Sequence, residues 1–256
     1  MSVRSTAVTD RAAFVLAANP GLMTLDGTNT WILREPGATR SVVVDPGPAD
    51  DDHLRSVVEA AGEVGLVLFT HRHHDHTDAL DRIVELTGAP ARSIDPDFTR
   101  RAEPLVDGET VELDGLTIDV IATPGHTTDS TCFLIGAEAS LLSGDTILGR
   151  GTTVIAHPDG VLGPYLDSLA HIRELAAEGL VERILPGHGP VVDDPAAVVD
   201  FYLEHRAERL DQVRAAVEAG STTAREVVEV VYQDVDQSLW SAAELSVAAQ
   251  LEHLRA

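Results

Sequence analysis

The stretch Thr70-His71-Arg72-His73-His74-Asp75-His76 follows directly on the apolar run Val64–Phe69. A run of that length and hydrophobicity has to be buried, while the imidazoles and the carboxylate after it have to reach a surface. The fold must therefore end a core element where these side chains begin. Imidazoles at alternate positions, followed by a carboxylate and a further imidazole, can reach two neighbouring cations from one turn. Histidine and aspartate donors suit zinc, and also iron or manganese. Taken alone, the tract also reads as a His-rich surface loop, so the rest of the chain has to decide.

From residue 30 to about residue 192, short β-branched runs alternate with turns and helical patterns. Strands are expected at Thr30–Leu33, Ser41–Val44, Val64–Phe69, Leu116–Ile121, Thr131–Ile135, Ser140–Leu142 and Arg183–Leu185, each bounded by Gly, Pro or Asp. Helices are expected at Asp52–Ala61, Thr77–Thr87 and Pro164–Glu178, with Gly62, Gly88 and Gly179 as stops. After residue 192 the strand signal fades. Asp194 is placed to cap a helix that starts at Pro195 and ends by Gly220. Thr223-Ala-Arg-Glu226 and Ser241-Ala-Ala-Glu244 both fit capping boxes. The expectation is an α/β core with a small helical appendage that serves packing or dimerisation. There is no internal repeat.

Composition narrows the function. The 18 basic residues are all arginine, so Schiff-base chemistry on a lysine is excluded; with 42 acidic residues the formal charge is −24. That balance argues against a general nucleic-acid surface and against a stable DNA partner. No apolar run approaches the roughly 20 residues of a membrane span. Ala12–Ala18 is short and follows Asp10 and Arg11, a poor signal peptide, so a cytoplasmic protein is expected. The single cysteine, Cys132, rules out an internal disulfide framework and lies in an apolar run as core filler.

Further motifs sit just after expected strands: Asp45-Pro46-Gly47, Thr123-Pro124-Gly125-His126, Ser143-Gly144-Asp145-Thr146 and Pro186-Gly187-His188-Gly189-Pro190. Ligands at strand ends are how an open α/β scaffold assembles a site from distant sequence. His71, His73, Asp75 and His76, followed in order by His126, Asp145 and His188, resemble the metallo-β-lactamase superfamily. The resemblance implies an αββα sandwich over 1–192 with a helical, winged-helix-like domain over 193–256. It also implies that His71, His73 and His126 hold one metal, that Asp75, His76 and His188 hold a second, and that Asp145 bridges them. Two Zn2+ are the first choice, with iron or manganese possible. Paired cations can share a hydroxide and lower its pKa toward neutrality, and Asp75 would orient that nucleophile or take up its proton.

Within that superfamily the chain is most similar to the β-lactamase-like endoribonucleases. The similar segments are Asn19–Thr30, Ser143–Gly149, Gly151–Val154, Tyr165–Leu169, Pro186–Pro190 and the tail with Glu204-His205-Arg206. That branch implies hydrolysis of a phosphodiester in single-stranded RNA. The alternative is a thioester, ester or lactone of a small acyl compound, and a third reading is a non-catalytic binding protein. The acidity departs from what RNA binding needs, unless Arg92, Arg100 and Arg101 form a basic patch that faces the metals. Arg150 either meets an anionic substrate or is a surface arginine. Asp45 is either a strand-ending turn residue or a carboxylate that hydrogen-bonds a ligand. His74 is off pattern; His53, His171, His205 and His253 are expected on helix surfaces.

Overall fold

The computed structural model describes residues 5–255, so residues 1–4 and 256 of the expected domain spans lie outside it. Two sheets stack face to face. The first has six strands in sequential order: β1 (Thr6–Ala7), β2 (Ala12–Leu16), β3 (Asn29–Leu33), β4 (Arg40–Val44), β5 (Glu63–Leu68) and β6 (Ala91–Arg92). The second has five: β7 (Thr110–Leu113), β8 (Leu116–Ala122), β9 (Thr131–Ile135), β10 (Ser140–Gly144) and β11 (Arg183–Pro186).

Central strands are buried on both faces, so they carry short apolar runs such as Val42–Val44 and Cys132–Ile135. In β4, Val42 and Val44 face the second sheet, while Val43 faces the helices outside. In β9, Phe133 and Ile135 point inward, while Cys132 and Leu134 point to the other outer layer. Those outer layers are α1 (Asp51–Ala61) and α3 (Leu80–Thr87) on the first sheet, and α4 (Leu162–Ala177) with α5 (Pro195–Glu218) on the second. The result is the expected αββα sandwich.

Strand direction gathers the strand-end motifs. β4 and β5 run parallel, as do β10 and β11. Their C-terminal ends lie at one edge of the sandwich, and each is followed by one of the candidate groups.

Ala12–Ala18, a poor signal peptide by sequence, begins with β2, an antiparallel partner of β3. Several other expectations need correction. β7 was not anticipated, although Asp114-Gly115, both at positive φ (48° and 93°), joins it to β8 in a two-residue hairpin. Thr77–Thr87 divides into the short α2 (His74–Thr77) and α3, because the Ala79 N–H donates to Gly47 O instead of continuing the ladder. Ser241-Ala-Ala-Glu244 is no capping box: Asp236 caps a 3₁₀ turn at Gln237–Leu239, which runs directly into α7 (Trp240–His253). Thr223 does cap α6 (Ala224–Val231) in a full box with Glu226, and Asp194 caps α5.

Among the described residues no strand follows β11. α5 contributes to two cores. Its first half sends Val199 and Tyr202 into the layer under α4, and its second half packs Val213 and Ala216 with Val227, Val228, Trp240 and Val247. No helix among the described residues is long and apolar enough to cross a membrane.

Candidate metal centre

β5 ends into Thr70, and the chain turns so that His71, His73, Asp75 and His76 approach His126, Asp145 and His188. His71 Nε2 and His126 Nε2 each lie 3.0 Å from His73 Nδ1. His188 Nε2 lies 3.3 Å from His76 Nε2 and 3.0 Å from Asp75 Oδ2. Two groups result, His71/His73/His126/Asp145 and Asp75/His76/His188, each with all its donor atoms within 4.8 Å of one another. Asp145 touches both: its Oδ2 is 3.8 Å from His126 Nε2 and 3.4 Å from His188 Nε2, and its Oδ1 is 3.5 Å from His76 Nε2.

The outward ring nitrogens fix how the inward ones are presented. His126 Nδ1 lies 2.9 Å from Val154 O, and His188 Nδ1 lies 3.1 Å from Gly27 O. A carbonyl only accepts, so Nδ1 of each ring carries a proton, and Nε2 is the atom left to face inward as a ligand once the ring is neutral. His71 Nδ1 lies 3.0 Å from Thr70 Oγ1, whose own proton goes to Asp45 Oδ2 at 2.6 Å. His76 Nδ1 is held by the same Asp45 oxygen at 2.9 Å. Such outer partners orient metal-binding imidazoles and raise their basicity.

Asp45 is therefore more than a turn residue. Its Oδ1 also accepts from Thr70 N at 2.8 Å, so one carboxylate steadies the loop at two points. His188 is fixed from β3: Asn29 Nδ2 and Trp31 Nε1 both donate to Pro186 O at 3.0 Å, and Asn29 also reaches Gly189 O. A Cβ on Gly187 would fall 2.7 Å from Asp145 Oδ1 and 2.8 Å from His76 Cε1, so only glycine lets the turn come this close.

The electrostatics divide along the same line. Burial holds His71 and His73 below the ordinary imidazole range and pushes His126 down to about 4. Burial opposes charge on His76 and His188 as well, but the carboxylates prevail. Asp45, Asp75 and Asp145 raise His76, and Asp145 with Asp75 raises His188 to about 9. Burial likewise works against ionised Asp75 and Asp145, yet His76 and His188 hold both below the usual carboxylate range.

The Nε2 atoms of His71 and His126 both face His73 Nδ1 at 3.0 Å; one proton on that nitrogen cannot serve both fully, whereas a cation between the three rings would serve all of them. Asp145 Oδ1 is buried without a hydrogen-bond partner among the described residues, and such an orphan needs a counterpart. The donor set fits divalent cations of the zinc, iron or manganese type.

Residues 23–188 match the metallo-β-lactamase superfamily, and residues 223–256 match the β-lactamase-associated winged helix domain. The chain belongs to the metallo-β-lactamase superfamily. This superfamily member is 32% identical to β-lactamase-like protein 2 homolog of Drosophila melanogaster, across 97% of this chain and 89% of that one. It is 34% identical to an atrochrysone carboxyl ACP thioesterase of Aspergillus fumigatus, across 87% and 73%. A β-lactamase domain protein from Burkholderia ambifaria shares the fold at a TM-score of 0.82, with 20% identity over 99% of this chain and 88% of that one. The protein is a metal-dependent hydrolase of the metallo-β-lactamase fold.

The remaining candidates fall outside the cluster. His74 is exposed and pairs with Asp78. Arg72 points away to Asp129 and Thr128, tying the loop to the turn after β8. Cys132 is buried in the core, where burial pushes its thiol up to about 11. His53, expected on a surface, is buried against Thr30 Oγ1 at 2.9 Å.

A cavity opens beside His73, Asp75, His126 and Asp145. Leu22, Met23, Leu25, Leu148 and the segment Arg150–Val154 wall it. Arg150 is paired across the mouth with Asp26. Arg92 pairs with Glu109 and Arg100 with Asp81, while Arg101 donates to Gly88 O. None of these three lines the cavity. Sequence reading assigned no role to Thr153 and Val154, which hold His126, or to Tyr202, whose hydroxyl accepts from Leu148 N at 2.9 Å. Gly151-Thr152-Thr153-Val154 was visible only as a family-like segment.

Proposed function

We propose that the protein hydrolyses an ester or thioester bond of a small acyl compound at a centre of two divalent metals, zinc first, in the cytoplasm. His71, His73 and His126 would hold one ion and Asp75, His76 and His188 the other, with Asp145 shared. When bound, such a pair supplies an activated water and polarises the carbonyl under attack. Asp75 is the carboxylate of the cluster more open to the cavity, at 29% side-chain exposure against 9% for Asp145. His76 and His188 favour its ionised form, which would orient that water through a carboxylate oxygen.

The observation behind the acyl substrate is the wall of the cavity. Leu22 and Met23 stand at its mouth 72% and 54% exposed, an apolar surface left open where a substrate would enter. The cation in the cavity wall, Arg150, is already engaged by Asp26. The phosphodiester reading needs basic groups that face the metals, and Arg92, Arg100 and Arg101 do not provide them. The thioesterase among the relatives supports the same preference.

The test is direct. Zinc-loaded protein is incubated with short acyl thioesters and, separately, with unstructured RNA oligonucleotides. Thioester cleavage that disappears on chelation is expected; RNA cleavage without thioester cleavage would overturn the proposal.

A further inference from the structure

The cavity beside the metal cluster does not end at Val154. A second groove continues from it, sharing Leu22, Met23 and Thr152–Val154 as its wall, and runs between the catalytic core and the helical tail. His205, Arg206 and Arg209 of α5 line this groove together with Tyr232 of the tail.

These basic residues stand apart from the rest of the chain. In a protein of net charge −24, nearly every described arginine is within ion-pair distance of a carboxylate. Among the described residues the exceptions are Arg34 and Arg101, which donate to the carbonyls of Ala61 and Gly88, and Arg206 and Arg209. The last two line the same groove.

Arg206 is 8% exposed; it donates to Thr153 O and sits over the Tyr165 ring, yet its buried Nε has no partner. His205 Nδ1 is likewise buried and unpartnered. Arg209 lies over the Tyr232 ring and donates only to Gln212 and to Val231 O. The Arg206 Nε–H is a buried donor without a partner, and it sits in a groove with two guanidiniums that no carboxylate offsets, an arrangement that is costly unless an anion meets it. The connection to the catalytic cluster is short: Thr153 offers its carbonyl to Arg206 and places its hydroxyl 3.2 Å from His126 Nδ1.

We infer that this groove is an anion-recognition arm of the active site, which takes a phosphate or carboxylate at the far end of a small acyl thioester whose carbonyl lies at the metals. The inference rests on the acyl-hydrolase reading and adds what the substrate must carry. Two guanidiniums and one imidazole suit a single anionic group. The apolar stretch from Leu22 and Met23 to Val235 and Leu239 suits the neutral chain between that group and the carbonyl. The helical tail then forms part of the substrate site.

The test compares matched thioesters on the zinc-loaded full chain: one acyl group on pantetheine and on 4′-phosphopantetheine, and a dicarboxylic half-thioester beside its methyl ester. The phosphorylated or carboxylated member of a pair should show a KM about tenfold lower, the value of one charge-assisted hydrogen bond. Whichever pair shows the difference names the anion. Arg209→Gln should reduce that preference about tenfold, measured as the ratio of kcat/KM within the pair. Calorimetry gives a second readout: free 4′-phosphopantetheine or glutarate should bind the parent protein and bind Arg209→Gln about tenfold more weakly. Equal KM values within both pairs, with hydrolysis intact, would overturn this inference and leave the acyl-hydrolase reading standing. Hydrolysis of no thioester would overturn that reading and the inference with it. RNA cleavage weakened by Arg209→Gln would assign the groove to a phosphodiester backbone instead.

Discussion

Asp45 Oδ2 accepts from His76 Nδ1 at 2.9 Å, so the carboxylate that ends β4 sets the direction of an imbedded imidazole 31 residues further on. The same oxygen takes the Thr70 hydroxyl, and through it steadies His71. One side chain thus reaches into both halves of the cluster without belonging to either. Asp45→Asn should lower affinity for divalent metal about 10- to 100-fold, the usual cost of losing such a partner. Titration with zinc against a chromogenic chelator measures it, and unchanged affinity would remove Asp45 from this role.

Asp145 belongs to the first group of donors and reaches the second, 3.4 Å from His188 Nε2 and 3.5 Å from His76 Nε2. Asp145→Asn and His126→Ala should each abolish hydrolysis and lower bound metal, as read by elemental analysis of the purified variants. Full activity in Asp145→Asn would contradict the two-metal reading.

The two halves should fill differently with pH. Metal-free His188 titrates near 9 and His126 near 4, against 6.5 for an unperturbed imidazole. Because the His188 pKa is raised, its contribution to metal-free stability is complete below about 6.5 and is lost as pH rises through about 9. His126 has the opposite sign: its lowered pKa costs stability as pH falls from about 6.5 toward 4. A metal at His188 must displace a proton anywhere below about 9, whereas one at His126 need not until about 4. Stoichiometry should therefore fall from two ions per chain near pH 8.5 to one near pH 6. A constant stoichiometry across that range would count against the division.

Gly187→Ala probes the close approach of the His188 turn. The added methyl meets Asp145 and His76 at under 3 Å, so metal content and activity should drop while far-ultraviolet dichroism stays unchanged. Retained metal and activity would mean that the turn shifts freely.

The tail should not be removable at residue 195. Val199 and Tyr202 complete the layer under α4, and the Tyr202 hydroxyl holds Leu148 at the cavity wall. Tyr202→Ala should cost roughly 3–5 kcal/mol in denaturant unfolding, as emptying a large buried aromatic site does. Deleting 195–256 exposes the apolar faces these residues cover and removes His205, Arg206, Arg209 and Tyr232 from the groove, so solubility and turnover should fall together, and a soluble, fully active core of residues 1–194 would contradict this role.

The sequence made the sandwich legible because its central strands are short, β-branched and bounded by turn residues, as in Ser41–Val44 and Thr131–Ile135. Two-residue edge strands such as β1 and β6 leave no such pattern. The break between α2 and α3 was invisible because it depends on Gly47, a residue on another loop. The candidate donors were legible as motifs at strand ends, and the structure brings all seven together. Their supports were not: Val154, Gly27 and Pro186 act through backbone carbonyls, which no side-chain motif records. The substrate preference came from burial and pairing, since Arg92 and Arg150 look free in sequence and are engaged in the fold.

The central claim is that this cluster holds two divalent ions on which hydrolysis depends. The most direct measurement is elemental analysis of the zinc-loaded protein at pH 8.5 beside thioester turnover, before and after chelation and on zinc return. The account predicts two ions per chain, loss of turnover with their removal and recovery with their return. Substoichiometric metal with turnover that survives chelation would contradict it.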